Sequence, residues 1–222
     1  MLKLYHYYLC PSSRFIRLII DECRIKYALQ LENYWDPQEV FLQINPAGHL
    51  PVLINESGYP IVGANACIEY FKDLNFKPSL FGSGYMDKAE INRLYHWFDN
   101  LFKKEVLETI IYEKVFSIIV SNITPNSNNI RNALQNLHFH IQYLDYLLSD
   151  NDYLIGESIT CSDFLAAANF SVLDYLGLLD FGNNKNMREW YQKVKSRPSF
   201  KNLLKDQIVG LSPHENYKSI DI

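Results

Sequence analysis

The chain has 222 residues, of which 48% are hydrophobic and 14% aromatic, and its formal net charge is −4. This composition is typical of a globular protein that can bury a substantial core, and it excludes a disordered chain. Because the net charge is negative and no basic patch carries interleaved aromatic side chains, we expect no nucleic acid as a partner.

Cysteine usage and hydropathy indicate which kinds of site and which cellular compartment to expect. The four cysteines are scattered, with no CxxC pair, which argues against a zinc site and a disulfide framework and favours a reducing, cytoplasmic compartment. The six histidines form no HExxH or similar pattern, so we assign no metal site. No stretch approaches the roughly 20 apolar residues of a membrane-spanning helix. The first residues lack the pattern of a signal peptide, and we expect no membrane insertion.

The first 76 residues predict an α/β domain with the order βαβαββα. A break at Cys10-Pro11-Ser12-Ser13 separates the first strand from the first helix, because proline and serine favour a helix N-terminus. The turn Asn45-Pro46-Ala47-Gly48 leads into the third strand. The predicted strands are 2–6, 27–33, 51–54 and 61–62, and the predicted helices are 14–23, 37–42 and 65–74.

The remaining segments predict a second, all-helical domain. Residues 77–87 contain proline and glycine without periodicity and are interpreted as a linker. Apolar residues recur every three or four positions from Ile91 to Phe102 and from Ile130 to Leu148, which indicates long helices in a domain of residues 88–208. Shorter helices are predicted at 162–176, 186–196 and 199–207. Residues 209–222 form a tail.

Three motifs in this order resemble the glutathione-transferase superfamily and together cover nearly the whole chain. They are Cys10-Pro11-Ser12-Ser13-Arg14, Asn45 to Leu53 (NPAGHLPVL), and the capping box Thr160-Cys161-Ser162-Asp163. The resemblance implies the cytosolic glutathione-transferase architecture: a thioredoxin-like N-terminal domain, a C-terminal helical bundle and a homodimer. It also implies a cis proline before the third strand and a glutathione site that includes Ser12, Pro51, Val52 and Asn65. Asp163 is interpreted as a structural helix cap.

Cys10 has two interpretations. A thiol at a helix N-terminus experiences partial positive charge, which lowers its pKa, and cysteine-type members of the superfamily use such a residue for thiol transfer. In that case Cys10 is the nucleophile of a glutathione-dependent enzyme. Alternatively, Cys10 is a small residue that lines a closed cleft.

The helix that should hold glutathione lacks its polar side chains. Glutathione-binding members carry Glu or Gln followed by Ser or Thr at the start of this helix, whereas the matching residues here are Gly63 and Ala64. Losing two such contacts at about 1–3 kcal/mol each weakens binding by roughly tenfold to ten-thousandfold. Asn65 offers a partial substitute. We therefore expect no required cofactor, with glutathione as an alternative ligand.

One branch of the superfamily shares the glycine–alanine substitution: the glutathione-transferase-like cell-division proteins of alphaproteobacteria, which bind FtsZ filaments. The resemblance includes Tyr34-Trp35, Gly63-Ala64-Asn65, and Glu113 to Phe116 (EKVF), and it continues to the C-terminal part of the chain. It implies a non-catalytic, dimeric binding protein that is cytoplasmic and acts at the division site.

Five residues are candidates for contact with such a partner: Trp35, Glu113, Lys114, Leu211 and Tyr217. Each also has a structural interpretation. A tryptophan on a loop serves as an interface anchor or packs across a dimer. Glu113 and Lys114 form either a partner face or a solvated helical stripe. The apolar tail residues, which include Ile220 and Ile222, either dock on the helical domain of the same chain or bind a partner.

Overall fold

The computed structural model describes residues 1–220; Asp221 and Ile222, the last part of the predicted tail, lie outside the described residues. The N-terminal domain is a four-stranded sheet with the strand order β2-β1-β3-β4. β1 runs parallel to β2, while β3 is antiparallel to both β1 and β4. The elements of this domain are β1 (Leu2–His6), α1 (Pro11–Glu22), β2 (Tyr27–Leu31), α2 (Glu39–Ile44), β3 (Val52–Ile54), β4 (Pro60–Val62) and α3 (Ala64–Leu74).

Both faces of this sheet are covered, as the alternation of side chains along a strand allows. Leu2 and Leu4 on β1 belong to the main core, which includes the apolar residues of α1 and α3. Tyr5 points to the opposite face, where it packs with Phe41 of α2 and Val52 of β3. The sheet therefore lies between α2 on one side and the helices that face the second domain on the other.

The C-terminal domain is helical. Its α-helices are α4 (Tyr85–His96), α5 (Glu108–Ile111), α6 (Ser117–Ile119), α7 (Ser127–Leu147), α8 (Cys161–Tyr175) and α9 (Lys185–Lys195). The segments Trp97–Leu107 and Tyr112–Phe116 are π-helical and join α4, α5 and α6 without a break. We call the continuous helix from Tyr85 to Ile119 the long helix. No helix among residues 1–220 is long and apolar enough to cross a membrane.

The long helix keeps two rows of side chains aligned at a spacing of four residues. One row is buried in the core, and the other lies one residue further along the chain. The buried row comprises Leu94, Phe98, Phe102, Val106 and Ile110. In a regular α-helix with 3.6 residues per turn, four such steps rotate a row by about 160° around the axis. The wider π-type turns, with i→i+5 hydrogen bonds, counteract this drift. The row therefore faces the core over its whole length.

The centre of this domain is α8, all of whose residues are buried. The predicted capping box at its start is confirmed: the Asp163 carboxylate accepts hydrogen bonds from the Thr160 amide at 2.8 Å and the Thr160 hydroxyl at 3.1 Å. It also accepts hydrogen bonds from the Leu154 amide and the Trp190 indole, both at 2.9 Å. Asp163 thus joins the start of α8 to the preceding loop and to α9.

Buried charges connect the two domains. Glu22 at the end of α1 accepts hydrogen bonds from Arg197 at 2.6 and 3.1 Å and from Ser199 at 2.8 Å, and it pairs with Lys77 of the linker. These partners hold the pKa of Glu22 at about 2, although burial acts in the opposite direction. A second ion pair joins Arg17 of α1 to Asp206 at 2.7 Å. The relative position of the domains is therefore fixed by α1.

The segments around the C-terminal end depart from the predicted pattern. The helix predicted at 199–207 is replaced by two short 3₁₀ turns, Pro198–Phe200 and Leu203–Lys205. Arg197 before Pro198 is extended, and Asp206 leaves the helical region after a single turn, so no α-helix propagates.

The predicted linker contains a 3₁₀ turn, Pro78–Phe81, which buries Leu80 and Phe81.

Candidate functional site: the cleft between the domains

A cavity of about 650 Å³ lies between the two domains. One wall is formed by the start of α1 and the start of α3, and the other by the long helix. The lining residues include Leu9, Cys10, Ser12, Tyr34, His49, Leu50, Gly63, Ala64, Asn65, Tyr95, Asp99, Lys103, Leu107, Glu108, Ile111, Tyr112 and Phe116. Its position between domains and its mixed apolar and polar lining are typical of ligand sites.

Cys10 lies at the N-cap of α1 and faces this cavity, with its sulfur 4.0 Å from the Leu50 carbonyl oxygen. Burial raises the pKa of the Cys10 thiol, and hydrogen bonds from Ser13 and Ser12 offset only part of this effect. The amides at the start of α1 lower this pKa, as expected for a helix N-terminus, but desolvation of the thiolate outweighs them. Tyr7, the nearby phenol, has its pKa raised to about 12, chiefly by burial.

The start of α3 has no polar clamp for a γ-glutamyl group. Gly63 is the N-cap, with φ of 87°, and no side chain caps the helix. A Cβ at position 63 would meet open space, but an L side chain rarely adopts this backbone conformation. Ala64 is buried, while Asn65 lines the cavity opposite Tyr95 of the long helix. Of the positions predicted to hold glutathione at this helix, only Asn65 offers a polar side chain.

The other predicted ligand positions divide into two groups. Ser12 lines the cavity. Pro51 and Val52 are buried behind it, because the Pro51 carbonyl accepts the Gly63 amide at 2.9 Å and Val52 pairs with Tyr5 and Val62 in the sheet. The expected cis bond is present between Leu50 and Pro51. Leu50, the residue before this proline, lines the cavity, whereas Val52, the predicted ligand position after it, does not.

The wall from the long helix carries a second row at four-residue spacing: Tyr95, Asp99, Lys103, Leu107 and Ile111. This row lies one residue beyond the buried row described above and faces the cleft. The general three-to-four spacing of apolar residues in this segment indicates a helix but does not distinguish this row from the buried one. A strict four-residue repeat of lining residues was the signal that could have identified this wall.

Four aromatic residues form the rim of the cleft, which we call the aromatic mouth: Tyr34, Trp35, Tyr112 and Phe116. Trp35 contacts Phe116 edge-to-face, with ring centroids 6.2 Å apart, and Tyr112 stacks on Phe116 at 5.9 Å. Trp35 also packs on Tyr7 at 4.6 Å. Trp35 is half-buried, whereas Tyr34 and Tyr112 are exposed. The mouth thus presents aromatic side chains from both domains to solvent.

Glu113 does not belong to this surface. Its side chain is buried, and its carboxylate accepts hydrogen bonds from the Asn126 amide at 2.8 Å and the Asn129 side chain at 2.7 Å. These contacts lower the pKa of Glu113 and fasten the loop before α7. The expectation of a partner contact is corrected to a cap at the N-terminus of α7. Lys114, its neighbour, is half-buried and forms no ion pair within residues 1–220.

The tail docks on the same chain. Tyr217 is fully buried, and its hydroxyl donates to the Leu203 carbonyl at 3.1 Å and accepts from Arg14 at 3.0 Å. The Leu211 carbonyl accepts a hydrogen bond from Tyr175 at 2.7 Å, and its side chain is half-buried. The expectation that Tyr217 contacts a partner is therefore corrected to an anchor in the core. Leu211 keeps a partly exposed surface.

The described residues contain no group of three or more metal-ligating side chains that could hold a metal ion.

The chain matches the family model of the glutathione S-transferase N-terminal domain over residues 4–79 and that of the C-terminal domain over residues 111–207. It therefore belongs to the glutathione S-transferase family.

Particular relatives are similar over the full length. FtsZ-localized protein A of Caulobacter vibrioides is 33% identical over 221 residues, covering 98% of this chain and 97% of that protein. The structure of FzlA from C. crescentus superimposes with a TM-score of 0.96 at 32% identity, covering 100% of this chain and 99% of the other. A glutathione S-transferase from Rhodospirillum rubrum gives a TM-score of 0.95 at 36% identity, covering both chains completely.

Proposed function

We propose that this protein is a non-catalytic binding protein that engages FtsZ filaments during bacterial cell division, in the cytoplasm at the division site. The observation that carries this proposal is the full-length similarity to FtsZ-localized protein A. The local chemistry of the cleft agrees with it. The two positions that should clamp glutathione are Gly63 and Ala64, and burial raises the pKa of the Cys10 thiol.

The surface for this partner is the aromatic mouth together with Lys114. Aromatic side chains contribute strongly to interfaces because they bury a large area at a small entropic cost. Lys114, which is half-buried and two residues before Phe116 on the long helix, adds a positive charge that forms no ion pair within residues 1–220. Leu211 on the tail is a further candidate, whereas Glu113 and Tyr217 act indirectly, since they hold the loop before α7 and the tail in place.

A homodimer is the assembly that we propose for this protein. Large apolar side chains remain exposed on α4 and α7, namely Tyr85, Met86, Phe139 and Tyr146. Where such side chains form a contiguous patch, they typically mark an interaction site. Sedimentation velocity should give a single species of twice the chain mass at micromolar concentration, and a monomer at that concentration would refute the dimer.

Co-sedimentation with purified FtsZ and GTP tests the main proposal. We expect the wild-type chain to pellet with the filaments, and Trp35→Ala and Lys114→Glu to pellet less. The matched control is Lys185→Glu, a charge reversal at an exposed lysine of α9 outside the mouth. Circular dichroism of each variant separates lost binding from lost folding. A wild-type chain that stays in the supernatant at all filament concentrations refutes the proposal.

A second function is favoured by one observation, the preserved cavity with Cys10 in its lining. In this alternative the chain is a cysteine-type glutathione S-transferase or thiol transferase with Cys10 as the nucleophile. Calorimetric titration with glutathione distinguishes the two. Saturable binding at micromolar ligand supports the enzyme, and the absence of heat at millimolar ligand excludes it.

A further inference from the structure

The outer edge of the sheet at β2 is available for pairing. β2 is the first strand in the sheet order, and its only strand neighbour within residues 1–220 is β1. An edge strand exposes a row of main-chain donors and acceptors, which another extended chain can use. The opposite edge, β4, has only three residues and contains Pro60, so it is poorly suited to such pairing.

The register identifies which main-chain groups of β2 face outward. The Glu32 amide, directly after β2, donates to the His6 carbonyl at 2.9 Å. In a parallel ladder alternate residues face the same neighbour, so Ala28 and Gln30 also direct their main-chain groups toward β1. The main-chain groups of Leu29 and Leu31 therefore point away from the sheet. The Leu31 carbonyl receives only a 3.5 Å contact from the Gln30 side chain.

The side chains on this edge provide no protection against pairing. Leu29 is 44% exposed and Leu31 is 42% exposed, although both project to the face where Leu4 and His6 are buried. The strand contains no lysine, no other charged residue and no proline, which are the usual means of blocking an edge. Two exposed leucines at alternate positions favour a ligand strand that is apolar at alternate positions.

The location of β2 indicates which chain would occupy it. Trp35 follows Leu31 by four residues, so the aromatic mouth begins at most about 13 Å along an extended chain from the end of this edge. The turn between them is fixed, because the buried Glu32 carboxylate accepts the Gln38 amide at 2.9 Å. A five-residue edge is too small to hold two copies of this chain together by itself, since stable interfaces bury roughly 1,200–2,000 Å².

We infer that an extended segment of the filament subunit, apolar at alternate positions, pairs with β2 as a fifth strand while the subunit contacts the aromatic mouth. This inference rests on the proposed function. Main-chain hydrogen bonds to Leu29 and Leu31 provide the pairing, and the two leucine side chains select the apolar positions of the segment.

Residue-resolved hydrogen–deuterium exchange on the wild-type chain, alone and pelleted with FtsZ filaments, tests the inference directly. In the free chain, the Leu29 and Leu31 amides should exchange rapidly, while the Ala28 and Gln30 amides are protected by β1. In the pellet, we expect exchange at Leu29 and Leu31 to slow by at least about tenfold, because each amide gains a partner.

Two substitutions complement the exchange measurement. Leu29→Pro removes an outward N–H and leaves the ladder to β1 unchanged, and Leu29→Lys adds a blocking charge to the edge without altering the main chain. Both should weaken co-sedimentation by about five- to tenfold. The matched control is Leu74→Lys, at a leucine that is 39% exposed at the end of α3, and it should pellet like the wild type.

The outcomes separate the two proposals. If the wild-type chain does not pellet, the proposed function fails and this inference fails with it. If the wild-type chain pellets but exchange at Leu29 and Leu31 is unchanged, the inference alone is overturned. It is also overturned if these amides become protected in the chain alone as its concentration rises, because the edge would then pair with a second copy.

Discussion

The strongest single test of the domain arrangement is the replacement Glu22→Gln. The side chain of Glu22 is 7% exposed and joins α1 to Arg197, Ser199 and Lys77. These contacts hold its pKa at about 2, against an ordinary value of 4.5. Each pKa unit corresponds to about 1.4 kcal/mol, so the charged form contributes up to about 3 kcal/mol to the free energy of unfolding.

The sign of the pH dependence follows from the direction of the shift. Because the folded-state pKa is depressed, the contribution is fully present above the unfolded-state pKa near 4.5 and is lost as the pH falls toward 2. The measured loss should be somewhat below 3 kcal/mol at pH 7, since Lys77 and Arg197 are 35% and 27% exposed and are screened by solvent. The difference between wild type and variant should shrink between pH 5 and pH 2.

Urea denaturation at pH 7, 4.5 and 3 measures this difference. The matched control is Glu69→Gln, which removes a similar ion pair to Lys72 at 2.7 Å on an exposed helical surface. That pair should contribute less than about 1 kcal/mol at every pH. The reasoning is refuted if Glu22→Gln costs no more than this control at pH 7, or if its cost does not decline on acidification.

Three further predictions concern the tail and the cleft. Tyr217→Ala should release the tail and lower the free energy of unfolding by about 3–5 kcal/mol, because a fully buried ring and its hydrogen bonds to Arg14 and Leu203 are lost. Urea denaturation measures the loss of stability, and limited proteolysis after Val209 measures the release of the tail. Unchanged cleavage would contradict this prediction. Alkylation of Cys10 by iodoacetamide should be slow at pH 7, and its rate should rise with pH to a midpoint above that of a free thiol, since burial raises the pKa of Cys10. A midpoint below about pH 8 is incompatible with this prediction. The double substitution Gly63→Gln with Ala64→Ser should increase the heat of glutathione binding in calorimetry, despite strain of about 1–3 kcal/mol for a side chain at φ of 87° and ψ of 153°. The single change Ala64→Ser should recover less.

The sequence predicted the architecture well because its signals are local. Pro11 marks the first turn of α1, although no side chain caps that helix, and the capping box of Thr160 and Asp163 marks the start of α8. Both signals have the same meaning in any fold. The two-domain glutathione-transferase architecture is confirmed by the fold and by the family matches to both domains. The missing clamp at Gly63 and Ala64 was likewise visible in the sequence, because it depends only on residue type.

The contacts of the candidate site are harder to predict from the sequence, because they depend on tertiary packing. The residues around Glu113 indicate a helix surface, since nothing in its neighbourhood shows that Asn126 and Asn129 return to it across the loop. For Tyr217 the sequence leaves two alternatives, docking on the same chain and contact with a partner, because an aperiodic tail gives no sign of the pocket beside Arg14. The direction of the Cys10 pKa shift depends on burial of the thiol, which no local pattern reports.

The two rows of the long helix, one residue apart, also determine how this segment tolerates changes in length. Deleting one residue near Trp97 would bring Asp99 and Lys103 to the positions of Phe98 and Phe102 in the core, while the aromatic rings would move out of it. Burying an unpaired charge costs several kcal/mol of stability, so natural selection should eliminate such deletions whichever partner the protein binds. The number of residues between Leu94 and Ile111 is therefore constrained as strictly as their identity.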